Sequence, residues 1–164
     1  MYGEEGHFYL GGGDYLPNVW HMTTAGNQEM ADKRIPELLK LRQASPGWPV
    51  LGVSVEPMLG PVDLNPFMPV FPVTRKDQAK CLPFLDWALL GGESGPGARP
   101  MRIEWPRSVI QQCKDAGVPV FMKQLGNNCI HGDPAMNYLH TGVGKDMSEW
   151  PEDLRVRESP NKTL

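Results

Sequence analysis

The sequence predicts an α/β fold with parallel strands, arranged as half of a β/α barrel or as a small open sheet. Apolar runs alternate with helical patterns, as is typical of parallel strands joined by crossover helices. The run at residues 49–56 is apolar without strict alternation, which indicates a strand buried on both faces. Four strands are predicted, within residues 18–24, 49–56, 86–92 and 118–125.

Two helices and a loop-rich C-terminal tail complete the predicted architecture. Asn27 is the expected N-cap of the first helix, inside which Pro36 should cause a kink or a restart. Residues 104–116 predict a second, amphipathic helix that ends at Gly117. We interpret residues 1–17 as a flexible lead-in, 18–126 as the β/α domain, and 127–164 as an irregular extension that packs on the domain.

The composition excludes several classes of protein. The chain has 164 residues, of which 40% are hydrophobic and 21% charged, within the range of one soluble domain. Its net charge of −3 offers no cationic field to a nucleic acid, and no apolar run approaches the roughly 20 residues of a membrane span. Three widely spaced cysteines do not suggest a disulfide framework, so a cytoplasmic location is expected.

Each predicted strand ends in polar residues. Because the carboxyl ends of parallel strands lie at one edge of a sheet, these residues should form one rim that could bind a ligand. The alternative is the ordinary polarity of strand ends in any soluble protein. The candidate ligand-binding residues are Asn27, Glu56, Gly92, Glu93, Ser94, Arg99, Lys123 and Gln124.

The Gly/Pro-rich stretch at residues 91–100 is the most informative part of this rim. Its glycines allow a close backbone approach or a positive φ, and its amides together with Arg99 could bind an anion. A tight loop closed by an ion pair between Glu93 and Arg99 is an equally good interpretation. The stretch is neither a Walker A loop nor a dinucleotide-binding fingerprint.

No catalytic residue is assigned from the sequence. The two rim glutamates could act as acid and base, but the sequence does not fix their separation. Lys123 is expected to neutralise one of them rather than to form a Schiff base. A metal site at Cys129, His131 and His140 would lack the close paired spacing of structural zinc sites, so none is predicted.

Six blocks of the sequence carry a family resemblance. They are LPNVW (16–20), NQEMADKRIPELL (27–39), GVSVEPMLGPVDL (52–64), DWALLGGESGPGARPM (86–101), AGVPVFMKQLG (116–126) and, less strongly, WPEDLRVRE (150–158). Together they resemble the C-terminal half of the phage-associated three-Cys-motif family, whose members are similar to radical S-adenosylmethionine enzymes. The resemblance implies a parallel β/α half barrel, that is, a partial TIM-like barrel, in the cytoplasm of a bacterial host. It also implies that Glu56, Glu93 and the glycines of 91–97 face the S-adenosylmethionine or substrate side.

The chain departs from this family in two respects. The N-terminal half of the family carries the clustered cysteines that would ligate an iron–sulfur cluster, and the three cysteines of this chain are too far apart to replace them. Gly26 stands where the family has an acidic residue. We therefore expect no cofactor to be bound by this chain alone. S-adenosylmethionine and an iron–sulfur cluster are expected only in full-length relatives.

The resemblance implies binding rather than catalysis by this chain. A cluster-less, truncated relative would act as a binding or interaction protein and would not be an enzyme by itself. Two alternatives stay open: a phage-encoded inhibitor of a host defence protein, and an enzyme using Glu56, Glu93 and Lys123 on a phosphorylated or nucleotide-like substrate. The expected partner is a second copy, or a host or phage protein, that covers the open edge of the half barrel.

Overall fold

The computed structural model of the protein describes residues 19–44, 50–69, 84–132 and 144–160. Its strands are β1 (Trp20–Thr24), β2 (Val50–Val55), β3 (Trp87–Gly91), β4 (Met101–Arg102), β5 (Val120–Gln124) and β6 (Cys129–Ile130), and its α-helices are α1 (Gln28–Ala44) and α2 (Glu104–Ala116). The main sheet has the order β1-β2-β3-β5, with every neighbouring pair parallel. β4 and β6 pair in parallel as a separate small sheet.

The two helices begin and end largely where the sequence predicts. The side-chain oxygen of Asn27 accepts a hydrogen bond from the backbone N–H of Met30 at 3.0 Å, so the predicted N-cap is confirmed. α1 continues through Pro36, so the predicted restart does not occur. Pro36 is exposed, and water can therefore bond to the carbonyl group that the missing N–H leaves unpaired. α2 ends at Gly117 with a φ of 66°, as predicted.

One face of the main sheet is covered by both α-helices. Alternate strand residues and the inner sides of the helices form one buried apolar cluster, which includes Ile35, Val53, Leu90, Val109 and Met122. Because successive side chains of a strand point to opposite faces, the shared cluster places both helices on the same side of the sheet. The packing of both helices on this face holds the strands, and therefore their carboxyl ends, in place.

The opposite side of the main sheet carries Trp20, Met22, Trp87, Leu89 and Phe121. We call it the helix-free face, because no helix of the described residues covers it. The rings of Trp20 and Trp87 meet edge to face with centroids 5.4 Å apart, and those of Trp87 and Phe121 do so at 6.3 Å. The row of rings therefore crosses the sheet and ends at β1. There Trp20 is 40% exposed and Met22 38% exposed.

The two edges of the main sheet differ. The edge at β5 is covered by the C-terminal segment in an antiparallel bridge, where Met122 donates to the Val156 carbonyl and Glu158 donates to the Val120 carbonyl, each at 2.9 Å. Within the ranges that the structure describes, no strand pairs with the outer side of β1. Among the described residues, one edge is thus closed by the C-terminal segment, whereas no strand covers the outer backbone groups of β1.

The predicted mixed α/β fold with a parallel sheet and two helices is confirmed. β4 and β6 were not predicted, because two-residue strands carry no readable periodicity. Trp150 and Leu154 of the C-terminal segment are buried in the core, while the predicted lead-in at residues 1–17 lies outside the described residues. No helix in the described part of the chain is long and apolar enough to cross a membrane.

Candidate functional site

The polar strand ends lie at one edge of the main sheet, as the parallel order requires. Glu56 directly follows β2, and Lys123 and Gln124 close β5. The ammonium group of Lys123 lies 3.1 Å from each carboxylate oxygen of Glu56, and the side-chain amide of Gln124 donates to one of them, also at 3.1 Å. The Glu56 side chain is only 14% exposed. The charge of Glu56 is therefore balanced by a group that reaches it from across β3.

Two glycines at the end of β3 make room for this contact. A β-carbon at Gly91 would lie 2.9 Å from the carboxyl carbon of Glu56, and one at Gly92 would lie 2.2 Å from the carbonyl oxygen of Leu125. Gly92 also donates its N–H to the Gln124 carbonyl at 3.0 Å and accepts from the Gln124 side chain at 3.1 Å. Both glycines are thus explained by the close approach of the chain to itself.

Glu93 and Arg99 form the ion pair that was one of the two interpretations of this loop. One oxygen of Glu93 accepts from the backbone N–H of Arg99 at 2.7 Å and from its Nε at 2.8 Å, while the other accepts from the guanidinium at 2.7 Å. These hydrogen bonds from Arg99 lower the pKa of Glu93 from 4.5 to about 2 and raise the pKa of Arg99. Glu93 is therefore ionised at neutral pH.

The loop between these two residues is held by the chain itself. Gly95 and Gly97 have φ values of 100° and 74°, so the prediction of positive φ is correct for both. The side-chain oxygen of Asn127 accepts from the N–H of Gly95 at 3.1 Å, and Asn128 donates to the carbonyl of Ala98 at 3.0 Å. These contacts, and the use of the Arg99 N–H by Glu93, favour the tight loop over an anion-binding nest.

The chain that leaves β2 spans the ends of the neighbouring strands. Glu56 is joined to Pro57 by a cis peptide bond, after which Met58 donates to the Gly91 carbonyl at 2.8 Å and Leu59 donates to the Gly26 carbonyl at 2.7 Å. A β-carbon at Gly26 would lie 2.5 Å from the Pro57 carbonyl oxygen. This contact explains why a glycine, rather than an acidic residue, stands at this position.

The structure brings together only part of the predicted rim. Glu56, Gly92, Lys123 and Gln124 form one connected group, and Glu93 pairs with Arg99 in a second. Among the described residues no hydrogen bond joins the two groups. The two remaining candidates are Asn27, whose side-chain oxygen caps α1, and Ser94, which is exposed. The sequence analysis did not assign Asn127 and Asn128 as residues that hold the loop, although two amide side chains shortly after β5 were a usable signal.

This arrangement is not suited to proton transfer in its described state. Both carboxylates are engaged by cationic partners, so neither is an unpaired base in the described structure. The two groups are each neutral overall, and their outer faces offer hydrogen-bonding atoms to solvent. Their geometry gives no positively charged cradle for a phosphate.

The two described cysteines are protonated thiols in the metal-free chain. Burial raises the pKa of Cys113 to about 12 and that of Cys129 to about 11. His131 is buried, and His140 lies outside the described residues. Within the described ranges no three His, Cys, Asp or Glu residues come together as a metal site.

Comparison with known proteins places this parallel α/β protein in a family. The chain matches the family model DUF5131, a protein of unknown function, over residues 4–155. Since the match covers nearly the whole chain, the protein belongs to the DUF5131 family. No curated protein and no solved structure shows significant similarity to it.

Proposed function

We propose that the chain is a cluster-less relative of phage radical-S-adenosylmethionine-like proteins, a half barrel that acts in the bacterial cytoplasm by binding a partner. Two features of the fold support the half barrel. The strand order β1-β2-β3-β5 follows the chain, and both helices lie on one face of the main sheet. A barrel keeps its helices on the outer face only, whereas a doubly wound sheet has them on both faces.

The observation that carries the binding function is the exposed apolar end of the helix-free face. Trp20 and Met22 are exposed at β1, whose outer side has no strand partner among the described residues, while the opposite edge is closed by residues 156–158. Exposed apolar residues at an open sheet edge are typical of an interaction surface. In a half barrel this face would be the inner wall.

Catalysis by the rim receives less support than binding. Glu56 is held by Lys123 and Gln124, and Glu93 is held by Arg99. An enzyme that used these glutamates would first have to break those contacts. The enzymatic alternative predicts that Glu93→Gln abolishes turnover, whereas the binding function predicts that this change leaves partner binding intact.

Site-specific photo-cross-linking in bacterial cells tests the binding function. A photoreactive benzoylphenylalanine in place of Trp20 is expected to give one dominant adduct. The same group in place of Gln111, which is exposed on α2, should give none. Equal adducts at both positions, or none at Trp20, would contradict the proposal.

A second measurement tests the cluster-less assignment separately. Anaerobic reconstitution with iron and sulfide is expected to give no stoichiometric four-iron absorption, because the cysteines at 81, 113 and 129 lack the clustered spacing of cluster ligands. A stoichiometric cluster would sink this part of the proposal while leaving the cross-linking result unaffected.

A further inference from the structure

We infer that the partner at β1 is a second copy of the chain, with the two β1 strands pairing antiparallel across a two-fold axis to make one continuous sheet. This inference rests on the proposed binding function and names its partner. It is carried by three features of the edge: the direction of its backbone groups, its lack of protective residues, and the charges on the neighbouring turns of α1.

The outward backbone groups of β1 are arranged symmetrically about Met22. Ala25 donates its N–H to Ser54 of β2 at 2.9 Å. Since alternate residues of a strand direct their backbone groups to opposite sides, those of Trp20, Met22 and Thr24 point away from β2. An antiparallel pair centred on Met22 would match Trp20 of one copy with Thr24 of the other. The outward N–H and C=O groups of β1 can therefore form hydrogen bonds with the same groups of a second copy.

β1 itself also lacks the charged residues and prolines that commonly prevent an edge strand from pairing with another molecule. Its sequence, WHMTT, contains no Lys, Asp, Glu or proline. The exposed side chains of Trp20 and Met22 flank the proposed axis on the helix-free face. Pairing would cover apolar surface at the same time as it satisfies backbone groups.

The charges beside β1 are self-complementary. Met22 and Thr23 line an open cavity of about 450 Å³ together with Lys33, Arg34, Glu37 and Leu38. This stretch of α1 therefore lies beside the middle of β1, and a two-fold axis at Met22 sets it against the same stretch of the second copy, running antiparallel. Lys33 of one copy then faces Glu37 of the other, twice per dimer.

Both residues are available for such a contact. Lys33 is exposed and makes no ion pair with the described residues. Glu37 pairs with Lys40 at 2.7 Å, but their side chains are 66% and 63% exposed, so this pair contributes little stability and can be exchanged. Arg34 donates to the Thr24 carbonyl at 2.8 Å, so this carbonyl points to the outer side of β1. In the dimer the Thr24 carbonyl would accept from the Trp20 N–H of the second copy, either in place of Arg34 or together with it.

Light scattering and sedimentation of the full chain over a wide concentration range test the inference. A species of twice 18.3 kDa is expected to form as the concentration rises. Lys33→Glu and Glu37→Lys should each raise the dissociation constant about tenfold, because each creates two like-charge contacts. The double variant Lys33→Glu with Glu37→Lys should restore the dimer. Lys145→Glu, a matched charge change at an exposed position outside α1, should have no effect.

Several results would overturn the inference. One is a monomer at every concentration, and another is a double variant that dimerises no better than either single variant. Hydrogen exchange adds a third, because protection of the Met22 amide in a monomeric sample would mean that another part of the same chain covers the edge. If the chain is monomeric while a photoreactive group at Trp20 captures a different protein, the second-copy inference fails and the binding function stands.

Discussion

Gly91 lies against Glu56 so closely that a β-carbon at position 91 would be 2.9 Å from both the carboxyl carbon and one carboxylate oxygen. The carboxylate occupies the space that a side chain of β3 would fill. From there it reaches Lys123 at the end of β5. Three neighbouring strands are therefore joined at their carboxyl ends through the single, half-buried side chain of Glu56.

This contact predicts that Gly91→Ala destabilises the protein by about 1–3 kcal/mol, because the methyl group displaces Glu56 from its two partners. The free energy of unfolding in urea measures the effect. Gly60→Ala is the matched control, since the nearest atom to its β-carbon would be 3.9 Å away. The control should be neutral. If both variants have the same free energy of unfolding, the packing of Gly91 on Glu56 does not cause the loss of stability.

A double-mutant cycle separates this contact from any general effect of alanine. Glu56→Ala removes the atoms that the new methyl group would strike, so Gly91→Ala should cost less in that background than in the wild type. Additive costs would show that the methyl group disturbs something other than Glu56.

The buried ion pair between Arg42 and Asp86 ties the last turns of α1 to the start of β3. Its side chains are 12% and 6% exposed, and Asp86 also accepts from the backbone N–H of Leu51 at 2.7 Å. Asp86→Ala is expected to cost about 3 kcal/mol or more, because it leaves a buried cation and a buried N–H unpaired. Urea unfolding monitored by tryptophan fluorescence measures this.

The exposed pair Arg107–Asp153 provides the comparison for that prediction. Its side chains are 40% and 51% exposed, so Asp153→Asn is expected to cost less than about 1 kcal/mol. Equal costs for Asp86→Ala and Asp153→Asn would show that burial does not determine the value of these pairs.

A structural feature could be predicted from the sequence when it is determined by residues that are close together in the chain. The N-cap at Asn27, the C-cap at Gly117 and the apolar side of α2 follow from neighbouring residues, and each was predicted correctly. The parallel sheet also followed, because buried strands alternating with helices leave few other arrangements. The polar groups at the strand ends came out at one edge for the same reason.

The remaining features depend on contacts between residues that are far apart in the chain, and no local sequence pattern indicates those contacts. The sequence marked Gly91 and Gly92 as special, but the structure explains them by Glu56 and by the Leu125 carbonyl, which are far from them in the chain. It also offered both a tight loop and an anion site for Glu93 and Arg99, and only the hydrogen-bond geometry favours the first. The finer assignment to a half barrel stays a proposal.

Glu93 should titrate with a midpoint of about pH 2 rather than 4.5, because Arg99 stabilises its ionised form. A lowered pKa in the folded state means that the ion pair stabilises the protein above the ordinary pKa and is lost as the pH falls from 4.5 towards 2. Glu93→Gln should therefore make stability less dependent on pH within that window. Carboxyl chemical shifts followed by NMR measure the midpoint directly.

Arg99→Met is the complementary change for the same titration. It removes the guanidinium that lowers the pKa of Glu93, so the midpoint should move back towards 4.5. A midpoint that stays near 2 in this variant would mean that the Arg99 guanidinium is not the main cause, and would point instead to the backbone N–H of residue 99, which the variant keeps.

The thiols of the buried Cys113 and the half-buried Cys129 should react slowly with alkylating reagents. Burial raises the pKa of Cys129 from 9.0 to about 11, with a smaller contribution from Glu104, so alkylation near pH 8 should be about a hundredfold slower than in urea. Cys113, with a pKa raised to about 12, should be slower still. Peptide mapping by mass spectrometry follows each cysteine separately. Glu104→Gln should speed the alkylation of Cys129 and leave that of Cys113 unchanged. Rapid alkylation of Cys129 in the native protein would contradict the prediction, because it would show that this thiol is exposed and ionised.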